Sequence, residues 1–121
     1  KNLQAALNGR QPDYLVVHHL EPDHSANISW VMDTFAGCRI VCSAKAAAFL
    51  PQFFGTDFAG RVDIVKEGDT LSLGAHTLQF IMAPMIHWPE VMVSYEQSVY
   101  FWANFSSNSI SRIAAERIAL L

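Results

Sequence analysis

Apolar residues along this chain follow two regimes. Up to residue 54, short β-branched runs alternate with stretches that repeat every three to four residues; from residue 61 the runs shorten and glycine turns separate them. Leu3, Ala6 and Leu7 share one helical face, and Asn8-Gly9 stops that pattern as a helix C-terminus does. The run Tyr14-Leu15-Val16-Val17 predicts a buried strand. Ser25 or Asn27 is placed to cap a helix whose apolar face is Ile28, Val31, Met32 and Phe35, with Gly37 ending it. Residues 39–42 predict a second strand. Ser43 caps a helix over 44–54, which Pro51 should kink or end. The order αβαβα is the sign of a layered sheet with helices on its face.

Beyond residue 60 the spacing predicts strands at 61–66, 70–73 and 77–82, separated by Glu67-Gly68-Asp69 and Gly74-Ala75-His76, in the manner of an antiparallel meander. Two prolines bracket Met85-Ile86-His87-Trp88, so residues 83–90 are expected to form a rigid, non-helical loop. Residues 91–95 and 98–102 read as a final hairpin. Residues 106–109 are polar, and 110–121 have helical spacing through Ile110, Ile113, Ala114, Ile118 and Leu121. No internal repeat, low-complexity segment or interdomain linker interrupts the 121 residues.

Composition narrows the class. With 51% hydrophobic and 16% charged residues the chain has the make-up of a globular domain large enough for a real core. Eight basic against eleven acidic residues give a net charge of −3, without the basic excess that nucleic-acid binding requires. No apolar run approaches the ~18 residues of a membrane span. The chain opens on Lys1-Asn2-Leu3-Gln4, without a signal peptide's apolar core or an initiator Met, and is expected to be a fragment of a cytoplasmic protein. Cys38 and Cys42 sit on one predicted strand, where ~3.3 Å per residue separates them by ~13 Å, too far for a disulfide. They are expected to be reduced.

The candidate chemistry lies directly after the first strand. His18-His19-Leu20-Glu21-Pro22-Asp23-His24 places three imidazoles and two carboxylates within seven residues. In an extended loop, alternate side chains share a side, so His19, Glu21 and Asp23 would converge and His24 would point elsewhere. That arrangement suits two metals side by side, one taking His19 and Glu21, the next Asp23 and His24. Mixed imidazole and carboxylate donors favour zinc, iron or manganese over calcium, magnesium or copper(I). His18 is expected to face away from His19, His87 is a further candidate ligand from the Pro-bracketed loop, and His76 is expected to be exposed and inert.

These residues carry a resemblance. The order H-x-E-x-D-H after a strand, followed about sixty residues later by P-M-x-H-W-P, resembles the flavodiiron proteins, or A-type flavoproteins. Asp13-Tyr14-Leu15-Val16-Val17, Glu67-Gly68-Asp69-Thr70-Leu71 and Ala83-Pro84-Met85 agree with it. The match runs over about residues 1–96, and 97–121 diverge. The resemblance implies an α/β fold with layered α+β character: a single partial metallo-β-lactamase-like domain over 1–121, an αββα sandwich with mixed sheet and helices. Hydrolases of that fold carry H-x-H-x-D-H, so Glu21 points away from zinc hydrolysis and towards a non-haem diiron centre. His19 and Glu21 would bind one iron, joined by His87; Asp23 and His24 would bind the other; Trp88 would wall the pocket.

By the same resemblance the activity would be reduction of dioxygen to water or of nitric oxide to nitrous oxide. Electrons would come from FMN in a flavodoxin-like domain, supplied by a donor such as rubredoxin or a flavin reductase, in a homo-oligomer. The sequence departs from the family at one point: a bridging aspartate is expected where Ala103 stands in Trp102-Ala103-Asn104-Phe105, and no aspartate or histidine follows Glu96. Two other readings therefore stand beside the first: a non-catalytic remnant that binds one metal or none, and a metal-dependent hydrolase of the same fold.

Overall fold

The computed structural model describes residues 3–96, together with the backbone of residues 2, 99–101 and 118–120. The elements in chain order are α1 (Asn2–Leu7), β1 (Tyr14–Val16), α2 (Pro22–Ser25), α3 (Ile28–Thr34), β2 (Arg39–Ser43), α4 (Ala44–Phe54), β3 (Val62–Val65), β4 (Thr70–Ser72), β5 (Thr77–Met82), β6 (Met92–Glu96), β7 (Val99–Phe101) and β8 (Ile118–Leu120). They build two four-stranded sheets. The first is parallel with the order β3-β2-β1-β8, and the second antiparallel with the order β4-β5-β6-β7.

The side-chain period of two along the parallel strands divides the core. Leu15 and Val17 of the first strand and its exit, with Ile40 and Cys42 of β2, face one way. There they meet Leu7 of α1, Ile28, Val31 and Met32 of α3, and Ala46 and Leu50 of α4. Val16 and Val41 face the other way, against Leu78, Phe80 and Met92 of the second sheet. Helices, parallel sheet and antiparallel sheet thus form three layers, and β1 and β2 are buried on both faces, as their unbroken apolar runs require.

Local chemistry sets the ends of these elements. Ser43 caps α4 by accepting the Ala46 N–H at 3.1 Å, and Gly55, at φ 68°, closes it in the left-handed conformation that favours glycine. Pro51 lies inside the helix, which continues through Phe54, and the Pro51 carbonyl accepts the Gly55 N–H. Asn27 occupies the N-cap of α3 without a side-chain cap bond, and Ser25 belongs to α2. The end of α3 is held by Arg61, whose guanidinium donates to the carbonyls of Met32, Phe35 and Cys38 at 2.7–3.0 Å.

Two expectations change. The strand at 61–66 belongs to the parallel sheet and not to the meander: β3 pairs with β2 because α4 carries the chain over as a crossover. Residues 118–120, expected to be helical, form a strand parallel to β1, with Tyr14 opposite Ile118 and Val16 opposite Leu120. A short apolar run has no decisive period of its own, and the open edge of β1 offers it backbone partners. The rest of the expected helix at 110–121, Ala103 and Phe105 lie outside the described residues. The expected 91–95/98–102 hairpin is seen as β6 paired with β7. Cys38 and Cys42 are both free and buried. Burial pushes their thiols up to about 11 and about 12, so both stay protonated at neutral pH.

Among the described residues, no helix is long and apolar enough to cross a membrane.

Candidate metal centre

Two segments meet at the end of β1. The first continues from the strand through His24 and is fastened to both sheets: Val17 N–H donates to the Val41 carbonyl at 2.9 Å, and the His18 carbonyl accepts the Met92 N–H at 3.0 Å. Leu20 is fully buried, and its carbonyl accepts a hydrogen bond from Ser25 Oγ at 3.1 Å. The second segment is the loop between β5 and β6. It turns on itself through Met85 N–H to the Trp88 carbonyl at 3.0 Å, with Met85 at φ 65°, a conformation uncommon for a residue with a side chain.

Pro22 at the first helical position starts a single turn, α2, and this changes the expected geometry. An extended loop would have carried Asp23 to the side of His19 and Glu21. The turn instead leaves the Asp23 side chain 74% exposed, and brings His24 back over Glu21 in the i,i+3 relation of a helix. His24 Nε2 lies 3.7 Å from Glu21 Oε2 and 3.7 Å from Asp23 Oδ2.

Glu21 is the centre of the cluster. Its Oε2 is 3.2 Å from His19 Nε2, 3.3 Å from His87 Nε2 and 3.7 Å from His24 Nε2. The hydrogen bond with His87 holds the Glu21 carboxyl below the usual carboxylate range; desolvation opposes this, and His19 reinforces it. Two sets of donors follow, each with all its donor atoms within 4.8 Å of one another: His19, Glu21 and His87, and Glu21, Asp23 and His24. Both sets share Glu21. The structure thus brings together His19, Glu21 and, from 66 residues beyond Glu21, His87, and it places Asp23 and His24 beside them with Asp23 at the surface.

Trp88 is half-buried beside the ligands. Its ring meets His19 edge to face at 5.2 Å between centroids and lies 6.5 Å from Phe53 of α4. Met85 and Ile86, 73% and 80% exposed, form the outer rim. His18 takes no part: its Nε2 is 2.8 Å from Ser94 Oγ in the interior. His76, expected to be exposed and inert, is half-buried, with Nδ1 3.2 Å from Oε1 of the buried Glu96.

Glu90 escapes a reading by sequence. It follows His87-Trp88-Pro89 and is only 1% exposed. Its Oε1 accepts the Leu20 N–H at 3.0 Å and lies 2.8 Å from His19 Nδ1. An acid between a proline and the apolar residues Val91-Met92 was the available signal; only the fold shows that it reaches back to His19.

Comparison with known proteins bears on the family and fold of the chain. The family described as "ODP family beta lactamase" matches residues 1–117. A diflavin flavoprotein from Synechocystis sp. is 33% identical over 97% of this chain, and a nitric oxide reductase from Moorella thermoacetica is 39% identical over 69% of it. The chain spans about a fifth of the length of these curated relatives, 22% and 21% respectively. Among solved structures, rubredoxin oxygen:oxidoreductase from Desulfovibrio gigas superposes with a TM-score of 0.64 at 36% identity, covering 69% of this chain and 20% of that one. The flavodiiron protein from Giardia intestinalis gives 0.65 at 30% identity, covering 77% and 22%.

Proposed function

This chain belongs to the flavodiiron proteins and carries their beta-lactamase-like domain, and from that premise we propose that the Glu21 cluster is a non-haem iron centre that serves the reduction of dioxygen to water or of nitric oxide to nitrous oxide. One observation carries the reading: three imidazole Nε2 atoms, from His19, His87 and His24, converge within 3.2–3.7 Å of a single carboxylate oxygen. Ring nitrogens this close to a carboxylate must each carry a proton or face a cation. Mixed nitrogen and oxygen donors without sulfur fit iron.

Within the proposal, His19, Glu21 and His87 would hold one metal, and Asp23 and His24 would hold a second. When bound, iron would supply a redox-active site that relays the donor's electrons to the gas. The chain's own residues do the rest. The buried first segment fixes His19, Trp88 and Phe53 limit water on one flank, and the exposed second segment brings His87 in from the side. FMN belongs to a separate flavodoxin-like domain by the resemblance. A rubredoxin-type donor, a homo-oligomeric assembly and a cytoplasmic setting belong to the same proposal.

Glu21 stands where hydrolases of this fold carry histidine, which counts against the hydrolase reading. The exposure of Asp23 favours a narrower version in which only the His19, Glu21 and His87 set binds firmly. Elemental analysis after anaerobic loading with Fe²⁺, followed by gas-consumption assays with a reduced artificial donor, separates these readings. Two irons per chain with oxygen or nitric oxide consumption is the expected result for the full centre. One iron without turnover leaves the non-catalytic remnant, and no iron refutes the centre.

A further inference from the structure

We propose that Glu90 is the positioning residue of this centre, fixing the tautomer and direction of His19 and supplying the negative charge behind it; the proposal rests on the metal-centre reading above. The geometry is specific. Glu90 Oε1 already accepts the Leu20 N–H at 3.0 Å, so it meets His19 Nδ1, 2.8 Å away, as an acceptor. His19 therefore carries a hydrogen on Nδ1, and when the ring is neutral its Nε2 lone pair is the one left to take up a cation beside Glu21, 3.2 Å away, with the His87 ring 5.1 Å off between centroids. A carboxylate behind a ligating imidazole, on the nitrogen that does not touch the metal, is the usual way such a ligand is oriented and made more basic.

Two further observations separate this from a purely structural acid. First, the Glu90 side chain is fully buried, and its Oε2 has no hydrogen-bond partner among the described residues. One neutral oxygen would satisfy the Leu20 N–H and the His19 N–H equally well, and a buried carboxyl with an orphaned oxygen carries a cost that fold alone does not repay. A cation on the far nitrogen of His19 accounts for it. Second, Glu90 is itself anchored: its backbone carbonyl accepts a hydrogen bond from Ser43 Oγ at 2.9 Å, and the same oxygen of Ser43 caps α4. The position of the second segment is thereby read from the parallel sheet and handed to His19.

The test compares wild type, Glu90→Gln and Glu90→Ala in the full chain. Imidazole ¹⁵N shifts of the metal-free protein read the His19 tautomer, and titration with Co²⁺ as a spectroscopic probe reads affinity. In Glu90→Gln the amide oxygen keeps the place under the Leu20 N–H, so the Nδ1–H tautomer persists while the charge is lost, and Co²⁺ affinity falls roughly 10-fold; in Glu90→Ala the tautomer moves towards Nε2–H and affinity falls roughly 100-fold. Wild-type Co²⁺ affinity in either variant overturns the proposal, as does an unchanged tautomer in Glu90→Ala. If Glu90→Ala does not fold, Glu90→Gln decides alone: lowered affinity with the tautomer retained supports the proposal, and unchanged affinity refutes it. A wild-type chain that binds no Co²⁺ refutes the metal centre instead, and the tautomer comparison still shows whether Glu90 sets His19.

Discussion

The two segments that supply the centre are built in opposite ways. The segment leaving β1 is anchored in the core where it begins: Leu20 is fully buried, His19 nearly so, and its backbone bonds run to β2 and β6. The segment carrying His87 and Trp88 closes mainly on itself, with His87 44% exposed and the rim residues Met85 and Ile86 in solvent. One candidate set therefore combines a donor fixed by folding with a donor placed by a surface turn. A rigid strand end defines where a metal goes, and a locally closed loop can yield to what is bound. Ser43 and Glu90 join the two.

Breaking the fixed segment should have the largest effect on stability. Leu20→Ala removes a fully buried side chain between His19 and Glu21 and should lower unfolding stability by about 2–5 kcal/mol in urea titrations. A loss below about 1 kcal/mol would mean that this segment is not held by the core. Ser43→Ala should cost about 1–2 kcal/mol, because it removes both the cap of α4 and the bond to the Glu90 carbonyl. Its metal affinity should fall as well, whereas a cap of α4 alone would leave affinity untouched.

A contact remote from both segments gives the control. Arg39 donates to both carboxylate oxygens of Asp63, at 2.8 and 2.6 Å, and holds Asp63 below its ordinary range. A carboxyl lowered in the folded state stabilises at neutral pH, and that contribution disappears as pH falls through its folded value. The pair is partly exposed, so Asp63→Asn should cost about 0.2–1 kcal/mol at pH 7. The difference from wild type should shrink towards pH 3 in parallel urea titrations; a gap that widens on acidification would contradict the ion pair. The smallest effect on stability belongs to the surface turn. His87→Ala should change unfolding by no more than about 0.5 kcal/mol yet abolish firm metal binding, and retained metal would remove His87 from the ligand set.

Much of this was legible in the chain. The apolar runs at residues 14–17 and 39–42 identify strands buried on both faces because no polar side is needed where helices and a second sheet cover them. Ser43 and Gly55 mark the ends of α4 by chemistry that acts within a few residues. His19, Glu21, Asp23, His24 and His87 stand out as candidate metal ligands by residue type and spacing. The direction of Asp23 was not legible, since Pro22 favours a helical turn whose formation depends on how the segment packs. The sheet to which residues 62–65 belong was equally hidden, because a short strand has the same period in either sheet.

The sequence by itself therefore determined the local elements and the donor atoms, since caps, turns and side-chain periods depend on neighbours in the chain. Only the tertiary structure decided which donors share an oxygen, that His76 meets Glu96, and that Glu90 lies buried against His19. The pairings of Glu21 with His87, His76 with Glu96 and Glu90 with His19 span 20 to 71 residues of sequence and depend on where two sheets and a crossover helix bring the backbone. A buried charge is recognised only when its partner is in view. Glu90 looks like an ordinary loop acid until the Leu20 N–H and the His19 ring are found on the same side of it.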